Sequence, residues 1–202
     1  MLRLYDDQHS GNGYKVRLLL TQLAIPFEYV PKVTKRGETR TPEFLAMNPN
    51  GRIPLVELES GRYLAESGAI LFYFADGTPL FPDDRWTRAQ ILQWMFFEQY
   101  SHEPYVAVAR AWLTYYGMDE ERKRQLSQRQ KLGYDALGVM EQHLEQRAFF
   151  VGERYSIADI ALYAYTHVAD EGGFDLGRFP AIRSWLERVK SQPRHILITA
   201  RC

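Results

Sequence analysis

The first thirty residues alternate between strand and helix patterns, and this alternation limits the fold more than any other feature of the chain. Leu2 to Tyr5 predicts a short strand, and Phe27 to Val30 predicts a second one. Tyr14 to Ala24 lies between them and has apolar residues at helical spacing, which predicts an amphipathic helix. Two strands joined by a helix within about 30 residues form a right-handed parallel βαβ unit.

Further patterns extend this unit to about residue 75 and complete the order βαβαββα. Threonine before proline and glutamate is a typical helix start, and an Asn-Pro-Asn-Gly run ends a helix. An apolar run that turns back through Ser-Gly predicts a β-hairpin. The segments are, in chain order, the helix start Thr41-Pro42-Glu43, the stop Asn48-Pro49-Asn50-Gly51, the strand Ile53 to Leu58, the turn Ser60-Gly61, the strand Arg62 to Leu64 and the helix from Glu66-Ser67.

A turn-rich linker with two prolines, residues 78–84, predicts the domain boundary. Residues 1–77 are assigned to an α/β domain. Residues 85–202 are assigned to an all-α helical domain, because no strand pattern follows the linker. The predicted helices are Thr87 to Tyr116 with a bend near Pro104, Glu120 to Arg147, Ser156 to about Ala169, and Ala181 to Lys190.

The composition argues against several classes of function. Lys+Arg and Asp+Glu both number 25, so no net positive field attracts nucleic acid. The single cysteine, Cys202, excludes an intrachain disulfide and a Cys-x-x-Cys pair, and the five histidines are scattered. No apolar run approaches the ~18 residues of a membrane span, and no leader pattern precedes the first strand. We therefore expect a cytoplasmic protein with no metal, no nucleic-acid partner and no membrane partner.

Four motifs, in this order along the chain, resemble the cytosolic glutathione transferase family. The first is similar to the serine or asparagine loop of bacterial members and of the zeta, theta and nu-like classes. The resemblance implies a thioredoxin-like N-terminal domain, an all-helical C-terminal domain, glutathione as cosubstrate, and a homodimer with both sites near the subunit interface. The motifs are Ser10 to Leu20, Pro42 to Val56 with its cis-proline, Leu64 to Ile70 with its Glu-Ser pair, and the capping box Ser156 to Asp159.

The loop before the first helix carries the candidate catalytic residues. A hydroxyl at a helix N-terminus lies in a local positive field, which favours an anion or a thiolate. Taken alone, Ser10 equally fits an ordinary turn or cap serine. The resemblance implies that Ser10 donates a hydrogen bond to the sulfur of glutathione, with Asn12 as the rival donor. Tyr5 resembles the tyrosine of other classes but ranks third, because the loop that follows it is longer than in that pattern.

The resemblance also implies anchors for the rest of the tripeptide. A cis bond before Pro54 exposes the backbone of Ile53, which is expected to pair with the cysteinyl residue like an added strand; most X-Pro bonds are trans. An acid and a serine at a helix start suit the charges of the γ-glutamyl end, although they also fit a simple cap. The assigned binding residues are Glu66 and Ser67 for that end, and Arg52, Arg40 and Thr39 for the glycyl carboxylate, where Thr39 replaces the usual His, Gln or Lys.

The electrophile is expected to bind in the helical half. Aromatic residues are frequent there, and most are expected in the core or in dimer contacts. Tyr105, Arg110 and Trp112 are the candidates for a hydrophobic substrate pocket. Arg110 interrupts an apolar segment, so it needs a charged partner or a cleft.

These features lead to the hypothesis of a detoxifying glutathione transferase. The enzyme would activate the glutathione thiolate for nucleophilic attack on small hydrophobic electrophiles that are held close to it. Two alternatives stay open, namely a glutathione-dependent disulfide reductase and a non-catalytic transferase-fold module for protein assembly. Activity on a small mixed disulfide rather than an aryl halide favours the first alternative, and failure to bind glutathione favours the second.

Overall fold

The computed structural model describes residues 1–59 and 61–200. Its first part contains β1 Arg3–Asp6, α1 Gly11–Gln22, β2 Glu28–Pro31, α2 Pro42–Met47, β3 Leu55–Leu58, β4 Arg62–Ala65 and α3 Ser67–Ala75. The strands form one sheet in the order β2-β1-β3-β4, with β2 parallel to β1 and the other neighbours antiparallel. The predicted order βαβαββα is therefore confirmed. Ser60, in the predicted turn, lies outside the described residues.

Apolar side chains cover both faces of this sheet. Neighbouring residues of a strand point to opposite faces, so Leu4 and Tyr5 belong to different clusters. One cluster buries residues from β1, α1, β3 and α3: Leu4, Val16, Leu20, Val56 and Ile70. The other buries Tyr5, Phe44 and Leu55, and so holds α2 against the opposite face. The β1–α1 loop starts from a strand that is fixed on both sides.

The second part of the chain is helical, as predicted. It contains α4 Arg85–Phe97, α5 Glu103–Ala111, α6 Glu120–Leu144, α7 Ile157–Thr166 and α8 Pro180–Lys190, with short 3₁₀ turns at Ala169–Gly172 and Leu176–Arg178. The predicted single helix from Thr87 to Tyr116 is interrupted by π-helical turns at Glu98–His102 and Trp112–Tyr116. Pro104 has no N–H, so it cannot donate a hydrogen bond to the carbonyl of the residue four positions earlier. The first π turn, which ends at His102, comes shortly before this proline.

The capping box that was predicted at the start of α7 is present. Ser156 Oγ accepts a hydrogen bond from the backbone of Ala158, and Asp159 Oδ2 accepts from the Ser156 N–H at 2.9 Å. Asp159 Oδ1 also accepts from Trp185 Nε1 at 2.9 Å and from the Phe150 N–H at 3.1 Å. This buried carboxylate therefore ties three parts of the helical unit together.

The described chain divides into two compact units at Asp76 and Gly77. The second unit ends at Gln192, and the segment that begins at Pro193 belongs to the first unit. The sequence-based division continued the helical domain to residue 202, so the structure differs from it in this last segment. The physical reason is a set of side chains on α1 and its preceding loop, which donate hydrogen bonds to backbone carbonyls of Ile196, Ile198 and Ala200.

Residues 1–59 and 61–200 contain neither a membrane-spanning helix nor a cluster of metal-binding side chains. None of the helices there combines the length and the apolar character that crossing a membrane requires. No group of three or more His, Cys, Asp or Glu side chains there is arranged to hold a metal ion.

Candidate active site

Ser10 lies at the N-cap of α1, in the loop where the sequence predicted the catalytic donor. Its backbone is extended, with φ −75° and ψ 122°, and its Oγ accepts a hydrogen bond from the Gly13 N–H at 3.1 Å. The hydroxyl therefore uses an oxygen lone pair for the cap, and its proton can be donated to a ligand. The backbone N–H groups and the dipole of the first turn add a positive field at the same point.

The loop that leads to Ser10 is held by the carboxylate of Asp7. Oδ1 accepts from the His9 N–H at 3.1 Å, and Oδ2 accepts from the N–H and Oγ1 of Thr34 at 3.1 and 3.2 Å. The Ser10 N–H donates to the Asp7 carbonyl at 2.8 Å. These bonds fix the path of the backbone from β1 to the helix start.

A buried ion pair lies directly beneath this loop. Arg17 Nε donates to Asp6 Oδ2 at 3.0 Å, and neither side chain has any exposed surface. Burial raises the pKa of Asp6 above its ordinary value, while the adjacent guanidinium favours the carboxylate. A Cβ on Gly13 would fall within the Asp6 carboxylate, so glycine is required at this position of the helix.

Asn12 is held by a lysine that the sequence-based predictions did not include. Lys15 is 1% exposed, and its Nζ lies 2.7 Å from Asn12 Oδ1. An ammonium can only donate, so the amide oxygen is turned to Lys15 and the amide N–H groups face other directions. Ser67 Oγ lies 3.5 Å from the same oxygen, which connects the starts of α1 and α3.

Lys15 is unusual for its place in the fold. Its ammonium lies beside Asn12 in the first turn of α1, where a cation opposes the helix dipole, and lysine is almost never fully buried without a partner. Its charge increases the positive potential next to Asn12. The signal in the sequence is a lysine three residues after Asn12, next to the apolar residues of the helix.

Tyr5, the third candidate, lies on β1 and is hydrogen-bonded to a side chain of β3. Its hydroxyl donates to Glu57 Oε2 at 2.8 Å, and its ring packs edge-on against Phe44. Burial, together with the hydrogen bond to Glu57, raises the pKa of Tyr5 to about 12. The phenol therefore stays protonated at neutral pH and is held by β3.

The residues around Pro54 form one compact turn. The Ile53–Pro54 bond is cis, as the resemblance implied. Asn48 Nδ2 donates to the Arg52 backbone carbonyl at 2.8 Å. The side chain of Arg52 is exposed. The loop before α2 packs against this turn, because Arg40 Nη1 donates to the Asn50 carbonyl at 3.1 Å.

Gly51 allows this close packing. Its φ is +62°, and a Cβ there would lie 2.9 Å from the carbonyl oxygen of Thr39. Thr39 itself is buried, whereas Arg40 is exposed. The structure therefore brings together the three residues that were assigned to the glycyl carboxylate.

Glu66 and Ser67 lie at the start of α3. Glu66 has φ +68° and ψ 115°, which is a rare conformation for a residue other than glycine. Such backbone strain is concentrated at ligand-binding sites in proteins. Its Oε1 lies 3.5 Å from Asn50 Nδ2, and the neighbouring Ser67 is buried. The γ-glutamyl and glycyl candidates are thus linked through the turn that contains Asn50.

The three candidates of the helical unit lie along α5 and the π turn that follows it. Arg110 is 9% exposed and donates from Nε to Glu171 Oε2 at 2.8 Å, so it has the charged partner that its apolar surroundings require. Trp112 packs under the guanidinium of Arg129, whose carbon lies 4.6 Å from the ring centroid. Tyr105 lies on α5, and its side chain is half-buried.

Comparison with known proteins shows the family of the chain. Residues 1–76 match the family described as "Glutathione S-transferase, N-terminal domain", and residues 105–193 match "Glutathione S-transferase, C-terminal domain". A solved glutathione S-transferase from Pseudomonas fluorescens is 53% identical, with a TM-score of 0.96 over 98% of this chain and 99% of its own.

Two more distant relatives bear on the ligand and the reaction. A glutathione transferase from Burkholderia graminis, solved with two glutathione molecules bound per subunit, is 30% identical. Its TM-score is 0.83, over 96% of this chain and 85% of its own. Disulfide-bond oxidoreductase YfcG from Escherichia coli is 31% identical over 197 residues, which is 91% of this chain and 88% of its own.

Proposed function

The chain belongs to the glutathione S-transferase family and functions as a glutathione transferase, and we propose that the start of α1 holds the thiol of glutathione as its thiolate. The thiolate attacks the electrophilic carbon of a small apolar substrate. A carbon–sulfur bond forms, and the leaving group departs with the electron pair of the bond that breaks. A free thiol has a pKa of about 8.5, so little thiolate exists at pH 7 unless the site lowers that value.

One observation carries this proposal, namely the convergence of donors and positive charge at the first turn of α1. Ser10 caps the helix, and Asn12 is fixed by the buried ammonium of Lys15 at 2.7 Å. A helix N-terminus and a nearby cation both lower the pKa of a thiol. This positive field stabilises the thiolate relative to the neutral thiol.

We assign the rest of glutathione to the residues that surround this point. Ser67 and Glu66 take the carboxylate and the ammonium of the γ-glutamyl end, and the backbone of Ile53 pairs with the cysteinyl residue. This assignment is supported by the 3.5 Å approach of Ser67 Oγ to Asn12 Oδ1, because a γ-glutamyl end at Ser67 would then be next to the proposed thiol donors. The glycyl carboxylate is assigned to Arg52, Arg40 and Thr39.

The electrophile is proposed to contact Tyr105, Trp112 and the Arg110–Glu171 pair. The ion pair cancels the charge of Arg110, so the surface offered by these residues suits a neutral, apolar compound better than an anion. Conjugation of such compounds is a detoxification reaction, and we propose that it takes place in the cytoplasm.

A homodimer is proposed as the active form. Large aromatic side chains are exposed on α4 and the π turn after it, including Trp86 at 71%, Phe96 at 69% and Tyr100 at 83%. Exposed apolar groups of this size mark interaction surfaces in soluble proteins. Sedimentation velocity of the wild-type protein and of Phe96→Asp tests this part, with a shift to monomer expected for the variant.

The thiolate proposal is tested by ultraviolet titration of the glutathione complex. The wild-type protein should show a bound thiol with a pKa well below about 8.5. Ser10→Ala should raise that pKa if the hydroxyl contacts the sulfur, and Asn12→Ala should raise it if the amide does. An unchanged pKa in both variants would refute the role of this loop.

Disulfide reduction is the second candidate, and the similarity to disulfide-bond oxidoreductase YfcG favours testing it. In that reaction the glutathione thiolate attacks a mixed disulfide, glutathione disulfide forms, and the other thiol is released and protonated. Comparison of kcat/KM for a glutathione mixed disulfide and for an aryl halide separates the two reactions. A non-catalytic module would bind no glutathione in calorimetry at millimolar concentration.

A further inference from the structure

The C-terminal segment, defined as Pro193–Ala200, is fastened to the unit that carries the thiol site. Three side chains of α1 and its preceding loop donate hydrogen bonds to its backbone carbonyls, and no side chain of the segment is needed for these bonds. They run from Tyr14 Oη to Ile196 O at 2.7 Å, from Gln8 Nε2 to Ile198 O at 3.2 Å and Ala200 O at 2.7 Å, and from Arg17 Nη1 to the same two carbonyls at 3.0 and 3.4 Å.

Arg17 is the residue at which these contacts meet. Its Nε donates to Asp6 Oδ2 at 3.0 Å, and its Nη2 donates to the Gln8 carbonyl at 3.2 Å. One guanidinium with no exposed surface therefore holds both ends of the loop segment Asp6–Gln8 and the C-terminal segment at the same time. The planar fork of arginine makes this multiple contact possible, because its donors have fixed directions.

These contacts reach the thiol site through two short covalent paths. Asp6 and Gln8 flank Asp7, whose carboxylate and carbonyl fix the N–H groups of His9 and Ser10. Arg17 itself lies on α1, the helix whose N-cap is Ser10. A shift of the loop against the helix would therefore move Ser10 relative to the N-terminal amides.

We propose that Arg17 is a positioning residue for thiol activation, because it fastens the C-terminal segment to the loop Asp6–Ser10 and so fixes Ser10 at the helix start. This inference rests on the proposed function. Without the segment, Nη1 of Arg17 loses both of its backbone acceptors, and water must enter to replace them. The loop Asp6–Ser10 then loses the hydrogen bonds through Gln8 and Arg17 that hold it against the C-terminal segment. Hydrogen bonds weaken steeply with distance and angle, so a looser loop stabilises the thiolate less.

Two truncations and one substitution test this inference. A chain that ends at Gln192 lacks the C-terminal segment. A chain that ends at Arg201 is the matched control, because Ala200 keeps a peptide carbonyl as the acceptor for Gln8 and Arg17. Arg17→Lys keeps the positive charge beside Asp6 but removes the fork that reaches Gln8 and the two carbonyls. Each protein is first checked for folding by circular dichroism. The thiol pKa is then measured in the glutathione complex by ultraviolet titration, and glutathione affinity by calorimetry.

The chain that ends at Gln192 and Arg17→Lys should both raise the pKa of the bound thiol by about one unit. This lowers the thiolate fraction, and with it kcat for an aryl halide, by up to about tenfold, with the full factor at a pH well below the pKa of the bound thiol. The dissociation constant of glutathione should stay within about twofold, because the hydrogen bonds described above join the segment to Gln8, Tyr14 and Arg17, which are not assigned to the tripeptide ends. The chain that ends at Arg201 should match the wild-type protein in all three measurements.

A role in folding alone would lower the melting temperature but leave the thiol pKa unchanged, and that result in folded variants overturns the inference. If the chain that ends at Gln192 does not fold, Arg17→Lys and Gln8→Ala, which keep the full chain, decide by the same titration. Failure of the proposed function looks different, because the wild-type complex itself would then show a thiol pKa near 8.5.

Discussion

Gly13→Ala tests the packing beneath the thiol site. The added Cβ would fall within the carboxylate of Asp6, so this side chain must move away. Its movement breaks the 3.0 Å bond with Arg17 Nε and the 2.7 Å bond from the Asp7 N–H. Both members of the ion pair are fully buried, and breaking such a pair costs about 3–5 kcal/mol.

A smaller effect of the opposite sign must be subtracted from this cost. Alanine in place of glycine within a helix gains about 0.5–1 kcal/mol, because the unfolded chain has less freedom to lose. The expected net loss in the free energy of unfolding is therefore about 2–4 kcal/mol. The matched control is Gly138→Ala in α6, where an added Cβ meets nothing within 4 Å. This control should gain about 0.5–1 kcal/mol.

Urea unfolding at fixed protein concentration, followed by circular dichroism, measures both variants. A Gly13→Ala protein whose stability lies within about 0.5 kcal/mol of the wild type would refute the packing explanation. A double-mutant cycle identifies the obstacle. In an Asp6→Ala background, which has already lost the carboxylate, Gly13→Ala should cost less than about 1 kcal/mol.

Three further predictions concern other charged groups. Lys15→Met removes the ammonium from Asn12 Oδ1, so ultraviolet titration should show a higher thiol pKa and kinetics about a tenfold lower kcat/KM. Burial raises the pKa of Asp159 from 3.8 to about 6, so the folded protein retains a proton that the unfolded chain releases. The free energy of unfolding should therefore fall by about 2 kcal/mol because of this group as the pH rises from 4 to 6, and urea unfolding of Asp159→Asn should show that this pH dependence is lost. Glu171→Gln removes the counter-charge of Arg110, so kcat/KM should rise for an electrophile that carries a carboxylate relative to a neutral one.

The strands and helices were predictable because their causes are local. Leu4 and Val56 alternate with residues that face the other side of the sheet, and Ser156 with Asp159 forms its capping box within four residues. The start of α1 was predicted at Tyr14, but the helix begins at Gly11. Gly11 and Gly13 favour a loop at this point of the sequence, because glycine permits tight backbone turns. The reason for one of them, the carboxylate of Asp6 against Gly13, is a contact that no local pattern contains.

The residues that support the candidate site were harder to predict than those that were assigned to it. Ser10 and Asn12 belong to a recognisable motif, whereas Lys15 and Arg17 belong to the same helix and acquire meaning only from their partners. A basic residue on an amphipathic helix is usually exposed. The place of the C-terminal segment depends on the buried guanidinium of Arg17, so the simple continuation of a domain to the end of the chain failed there.

The distribution of the candidate residues between the two units has a consequence for mutagenesis. Ser10, Asn12, Lys15 and Ser67, together with the C-terminal segment, belong to the first unit, whereas the electrophile candidates belong to the second. Thiol ionisation responds to the charges and hydrogen-bond donors assigned to it, and all of these belong to the first unit. Substitutions at Tyr105 or Trp112 should therefore change KM for the electrophile at an unchanged thiol pKa. A shift of that pKa in Trp112→Leu would show instead that thiol activation depends on the helical unit.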